Sequence, residues 1–288
     1  MGTIDRVPHD PSTPAGQLAG HCSHVVLRQR QGAAARREPD ELAQEVPIAL
    51  EYNGISHATV LATPCDLEDF AYGFSYTEGI IDSAHDIYDL ELAQRDNGIV
   101  VQLTIASARL NQLKLRRRSL AGRTGCGLCG LESLDEVQRT LPAVAPRQAL
   151  ITPAAILRAI EQLRERQPLH LITGATHAAA WADIDGNISH VREDVGRHNA
   201  LDKLIGHVLR HDIDTTQGMA VISSRASFEM VQKAAAAGMS ALIAVSAPTS
   251  YAVNLATELN VLLAGFARSN QFTIYTHPEY LRDKDALL

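Results

Sequence analysis

The residues best suited to chemistry in this chain are two cysteines, Cys126 and Cys129, within Thr124-Gly125-Cys126-Gly127-Leu128-Cys129-Gly130. Thiols at this spacing share a metal ion, close a small disulfide ring, or let one sulfur hold a persulfide while the other attacks it. Spacing alone does not choose among these. A structural zinc site usually takes four ligands, and the chain has no second CxxC; His177 or His198 would complete one only through long-range folding. Just upstream stand Lys114, Arg116, Arg117, Arg118 and Arg123. Their charge favours thiolate over thiol, whose unperturbed pKa is ~8.5, and attracts an anionic ligand. Taken alone, such a run is more often a solvated loop; its adjacency to Cys126 turns the balance towards thiol chemistry. Glycines at 125, 127 and 130 remove bulk around the sulfurs and permit close approach. Cys22 and Cys65 lack any such context.

Three further stretches carry polar chemistry. From Asp194 to Lys203 the chain packs charged and amide side chains with His198 into a helix start. Arg197 and His198 there oppose the helix dipole, although capping alone explains Asp194 and Asn199. Ser224-Arg225-Ala226-Ser227 offers hydroxyls, backbone amides and a guanidinium at a helix N-terminus, a combination suited to phosphate; a serine cap beside a surface arginine is the ordinary alternative. Phe266-Ala267-Arg268-Ser269-Asn270-Gln271 presents an aromatic face, a cation and amides able to read a purine-like edge, but by pattern alone it is a loop.

The elements that must position these groups fall into two halves. Residues 1–23, with Pro8, Pro11 and Pro14 and no periodic apolar face, read as a disordered arm. Two β-prone runs from Val46 to Ala62 flank Asn53-Gly54, a hairpin turn dipeptide. Thr63-Pro64-Cys65-Asp66 predicts a helix to about Tyr76, with the threonine hydroxyl as cap, and strands follow near Ile87–Leu92 and Ile99–Ile105. Lys114 to Gly130 reads as a functional loop, and Ser133 with Glu136 as a capping box for a short helix. Pro142 and Pro146 suggest a linker, which gives a first domain of 24–145 and a second of 146–288.

In the second half, Thr152-Pro153 opens an amphipathic helix to about Arg166, which Pro168 stops. A hairpin turning at Asp185-Gly186 follows. Helices at Arg197–Arg210, Ser227–Ala237 and Thr249–Ala264 then alternate with strands at Met219–Ser223, Ala241–Val245 and Phe272–Tyr275. That order predicts an α/β (α+β) protein, a small mixed N-terminal domain followed by a helix–sheet–helix sandwich. Ligands of such sheets gather at the carboxyl ends of the strands, here Ser223–Ser227 and Ser246–Thr249.

Composition limits the alternatives. With 288 residues, 45% apolar, the chain can bury a real core; 26 basic against 33 acidic residues give a net charge of −7. That balance argues against a nucleic-acid coat or a polybasic membrane binder. No apolar run approaches the ~18 residues that span a bilayer, and the opening residues carry no signal-like apolar region, so no membrane role and a cytoplasmic location are expected.

In order along the chain, Asn53-Gly54, Thr63-Pro64, Gly73-Phe74, Glu78-Gly79-Ile80-Ile81, the Thr124–Gly130 motif, Thr176-His177-Ala178-Ala179, the Glu193–Lys203 run and Ser223–Met230 resemble the formate dehydrogenase accessory sulfurtransferases called FdhD. The resemblance covers about residues 46–277. It implies a cytidine-deaminase-like, three-layer α/β/α second domain and a homodimer. It further implies that a cysteine desulfurase donates sulfur to Cys126 as a persulfide, with Cys129 assisting. The sulfur would pass to bis-molybdopterin guanine dinucleotide, bound as substrate, on its way to the formate dehydrogenase catalytic subunit. Phe266 to Gln271 matches the family's cofactor segment, and Ser224, Arg225, Ser227 and His177 are candidate contacts, with a guanine nucleotide such as GDP as mimic. Ala175 and Ser269-Asn270-Gln271 depart from the usual family residues. Two rival functions are a zinc deaminase, whose H-x-E before P-C-x-x-C order this chain lacks, and a non-catalytic chaperone of the dehydrogenase.

Overall fold

The computed structural model describes residues 19–120, 140–268 and 270–282. The chain opens with an antiparallel ribbon of β1 (His21–Arg28) and β2 (Arg36–Ala43), in register from His21 opposite Ala43 to Arg28 opposite Arg36. The expected disordered arm therefore ends earlier, since His21 to Ser23 already lie in β1. Sequence pattern missed the ribbon because charge pairs hold much of it: Arg28 meets Glu38 and, at 3.1 Å, Asp40, while His21 meets Glu41 at 2.8 Å.

Beside it lies a four-stranded sheet in the order β4 (Ile55–Ala62), β3 (Val46–Tyr52), β6 (Gly98–Ile105), β5 (Ile87–Arg95). The β3–β4 hairpin turns at Asn53 and Gly54, whose φ angles of 49° and 76° are those the sequence predicted. Alternate residues Ile48, Leu50, Tyr52, Val101, Leu103 and Ile105 are buried on one face, against Leu67, Phe70 and Ala71 of α1 (Leu67–Thr77) and Leu113 of α2 (Ser107–Leu120). Two expectations are corrected. The first helix starts at Leu67, with Asp66 at the N-cap position, and Thr63 caps nothing. The Lys114–Leu120 part of the expected loop is helical, because Leu, Lys, Gln and Arg are good helix formers even where no apolar stripe marks them.

The second half is three-layered. Its six-stranded sheet runs β12 (Gln271–Thr276), β11 (Leu262–Arg268), β10 (Ala241–Ala244), β9 (Gly218–Ile222), β7 (His177–Asp183), β8 (Ile188–Asp194), with β9, β10 and β11 parallel and β7 antiparallel to β9. The helix α3 (Pro153–Glu165) covers one face, burying Ile156, Ile160 and Leu163. The helices α5 (Arg197–Arg210), α6 (Phe228–Ala236) and α7 (Ser250–Glu258) cover the other. Thr152 caps α3 as predicted, its hydroxyl accepting from the Ala155 N–H at 3.1 Å. Pro168 opens a short helix α4 (Pro168–Thr173). The helix expected to reach Ala264 ends at Glu258, and Leu262 to Ala264 belong to β11; a fully buried strand and a buried helical turn carry the same apolar signal. Among the described residues no helix is long and apolar enough to cross a membrane.

The two halves meet where α1 crosses α5. A Cβ on Gly73 would lie 1.7 Å from the Asp202 carbonyl oxygen, and one on Gly206 would lie 1.8 Å from that of Asp69, so the backbones touch where only glycine fits. Buried charges close around this contact. Lys233 reaches Asp202 at 3.0 Å, and Asp202 also accepts from the Thr77 hydroxyl at 2.8 Å. Asp69 accepts from Arg192 at 2.7 Å and from Arg210 at 2.6 Å.

Candidate functional site

The carboxyl ends of β9, β10 and β11, the start of β7 and the end of β8 all open on one edge of the sheet. His177 begins β7 opposite Asp194 of β8. The next residue ties it to the β9 loop: the Ala178 N–H donates to the Ser223 hydroxyl at 2.9 Å, and the Ser223 N–H donates to the Ala178 carbonyl at 3.0 Å. The loops after β9 and β10 run side by side through a parallel bridge between Ala226 and Pro248, and the Thr249 N–H donates to the Ala226 carbonyl. The Phe266 N–H donates in turn to the Ser246 carbonyl at 3.1 Å. Between these loops and α3–α4 opens a cleft of about 510 Å³, lined by Thr176, His177, Ser223 and Val245 with His170 and Gln167.

Phe266 is the strained residue of this edge. It takes φ 51° at a bulge in β11, left-handed backbone that a bulky side chain rarely adopts, and its ring is 42% exposed. Arg268 and Gln271 pair across the hairpin and are exposed, as is Asn270 in its turn. The Ala267 side chain is wholly buried in the core under α3, which leaves only its backbone to a ligand. Ser269 lies outside the described residues. Sequence pattern read this segment as loop; its strand character comes from pairing with β12.

Ser224 is buried and its hydroxyl donates to the Arg225 carbonyl at 3.1 Å, while Arg225 is exposed at the rim. Ser227 holds the N-cap position of α6, yet its hydroxyl makes no capping bond and is buried without a partner. The Glu193–Lys203 run braces the same edge. Asp194 and Lys203, both fully buried, lie 2.7 Å apart. Thr63 reaches across from the first half: its N–H donates to Asp194, its carbonyl accepts from Lys203, and its hydroxyl accepts from the Val195 N–H. Glu193 accepts from the Leu169 and His170 N–H groups and the Thr176 hydroxyl. His198 meets Glu229 of α6 at 2.7 Å and holds that carboxyl below its usual range. His177 is pushed down by burial and then by the Arg197 charge, which keeps its ring neutral near pH 7.

Cys126 and Cys129, with the whole Thr124–Gly130 motif and the Ser133–Glu136 capping box, lie outside the described residues. The structure therefore brings together His177, Ser224, Ser227, Arg225 and Phe266 at one edge and leaves the thiols unplaced. Sequence reasoning missed the bracing role of Lys203 and Thr63. It also missed the His190, His207 and His211 rings, which meet in tilted contacts with centroids 4.2 and 4.1 Å apart.

The model of the FdhD/NarQ family matches residues 43–282. The chain belongs to that family. It is 54% identical over 280 residues to a sulfur carrier protein FdhD of Bordetella petrii, covering 97% of this chain and 99% of that one. It is 54% identical over 267 residues to the protein of the same name in Cupriavidus necator, covering 93% and 92%. The crystal structure of a protein described as a formate dehydrogenase accessory protein, from Desulfotalea psychrophila, superimposes with a TM-score of 0.69 at 21% identity, over 91% of this chain and 100% of that one. At that identity the likeness speaks for the fold, which this FdhD/NarQ member shares almost end to end.

Proposed function

We propose that this protein is a sulfurtransferase: Cys126 takes the outer sulfur of a cysteine desulfurase persulfide and passes it to bis-molybdopterin guanine dinucleotide destined for formate dehydrogenase. The family membership supports the sulfur-carrier role, since its relatives bear that name. The observation that carries the cofactor reading is Phe266, held in left-handed backbone with its ring exposed beside the Ser246–Thr249 loop. A fold keeps an aromatic in that conformation against a cost of about 1–2 kcal/mol. An exposed ring there gives a nucleobase a face to stack on, and exposed Arg268 adds a cation to the same segment.

In this reading the guanine lies at Phe266 and Arg268, and the phosphates lie at the start of α6, with Ser224, Ser227 and Arg225. His177, neutral and half-buried, borders the cleft between this edge and α3–α4. The sulfur step is a thiol exchange: the Cys126 thiolate attacks the outer sulfur of the donor persulfide, a new S–S bond forms on Cys126 as the donor's S–S bond breaks, and the donor cysteine leaves as thiolate. Cys129 assists release.

Intact mass of the purified protein after incubation with a cysteine desulfurase and cysteine tests the carrier. A reducible one-sulfur adduct that vanishes in Cys126→Ala supports it. Stoichiometric zinc and no adduct would make the CxxC a metal site and end the sulfurtransferase reading. Unchanged GDP affinity in Arg225→Ala would remove the phosphates from that rim. A chaperone without sulfur chemistry would keep its activity in Cys126→Ala.

A further inference from the structure

At this edge the carboxylates are already matched. Asp194 is engaged by Lys203, Glu229 by His198, and Asp202 by Lys233. Glu193 is satisfied by two backbone N–H groups and a hydroxyl. Among the described residues, one half-buried cation of this edge stands outside the pairing. Arg197 has no ion pair or hydrogen bond among the described residues, and its Nε is buried without a partner. Its charge adds to the burial that depresses His177 and to the His198 bond that depresses Glu229, and as the first residue of α5 it adjoins the His198–Glu229 contact.

The position is an unfavourable one for an arginine. It is the first residue of α5, where a cation opposes the helix dipole, and His198 adds a second basic group beside it. Ser227, at the N-cap position of α6, makes no side-chain capping bond, and its hydroxyl is buried and unpartnered. His198 and Glu229, the second residues of these helices, touch at 2.7 Å, so the two N-termini converge. An unpaired guanidinium and an unpaired buried hydroxyl, set at two converging helix starts, lack the same thing, an anion with several acceptor oxygens.

We infer that Arg197, the N-termini of α5 and α6 and the Ser227 hydroxyl form the subsite for a phosphate or diphosphate ester, with Arg197 as its principal anchor. This rests on the reading of the edge as a guanine-nucleotide site and goes past it, because it moves the main phosphate contact from the exposed Arg225 to the inner wall. A planar guanidinium meets two phosphate oxygens at once, whereas an ammonium in its place offers a point charge.

The test is titration calorimetry of the full chain with GDP, guanosine and inorganic pyrophosphate, comparing wild type with Arg197→Gln, Arg197→Lys and Ser227→Ala, each checked by thermal melting. Loss of the charge-assisted bonds predicts GDP affinity falling roughly 10–100-fold in Arg197→Gln, with pyrophosphate binding lost and guanosine binding unchanged. Arg197→Lys retains an intermediate affinity, and Ser227→Ala loses a few-fold, which keeps the test alive if Arg197→Gln fails to fold. GDP bound equally by wild type and Arg197→Gln overturns the inference and leaves the nucleotide reading standing. Arg197-dependent pyrophosphate binding without any GDP or guanosine binding supports the anion subsite and refutes the guanine reading. If wild type binds none of the three, both fall.

Discussion

Replacing Gly206 with alanine tests whether the α1–α5 contact holds the two halves of the molecule together. The new Cβ would meet the Asp69 carbonyl oxygen at 1.8 Å, where real Cβ contacts essentially never come under 3.0 Å, so the helices must part by about 1.2 Å. The obstacle is backbone, and no rotamer change relieves it. In an exposed helix the same change stabilises by about 1 kcal/mol; here overpacking costs about 1–3 kcal/mol. Separation also stretches the Arg210–Asp69 and Arg192–Asp69 pairs, which span the joint at 2.6 and 2.7 Å, and breaking one buried pair costs about 3–5 kcal/mol. A net loss of about 2–5 kcal/mol is expected in urea denaturation, with the midpoint lowered in Gly73→Ala as well. A Gly206→Ala protein as stable as wild type would refute the close-contact argument, since the propensity gain would then have gone unopposed.

Lys233→Met leaves Asp202 buried with only the Thr77 hydroxyl beside it, so a loss of about 3–5 kcal/mol is expected by the same denaturation, with partial recovery in Lys233→Met/Asp202→Leu. His207 is depressed to about 4 by burial and by Arg192; its unfolded counterpart binds a proton near pH 6.5. Stability contributed by its neutral form is therefore complete above pH 6.5 and declines as pH falls towards 4. His207→Gln should flatten the midpoint-versus-pH curve in that window, and an unchanged slope would discount the effect. Phe266→Gly relieves the left-handed backbone, offset by glycine's entropy, so the melting temperature should hold or rise slightly. Guanine-nucleotide affinity should fall about tenfold through lost stacking, and calorimetry on one preparation reads both.

Much of the architecture is legible in the residues. Asn53-Gly54 and Asp185-Gly186 mark hairpins because their turns need positive φ, and Thr152-Pro153 marks α3 through a local capping bond. The alternation of strands and helices after Arg197 places Ser223–Ser227 and Ser246–Thr249 at the ligand edge of a parallel sheet. These signals are local or periodic, so they survive in one dimension. Local signals also mislead. Thr63 has the look of a cap, yet its hydroxyl accepts from Val195 in the other half; the basic stretch through Leu120 lacks an apolar stripe, yet it is helix.

The sequence by itself determined the layered fold, the CxxC with its basic approach, and the loops from which a site can be built. Tertiary structure alone decided that Gly73 and Gly206 are contact points rather than weak spots in helices. It also decided that Lys203 belongs to Asp194, that Phe266 is turned out on a bulge, and that the Arg197 Nε is buried without a hydrogen-bond partner. The reason is common to all four. Each depends on which groups from distant segments meet, through strand register at Phe266 and elsewhere through close backbone contacts and buried charges whose energies those neighbours fix. Spacing along the chain does not encode them.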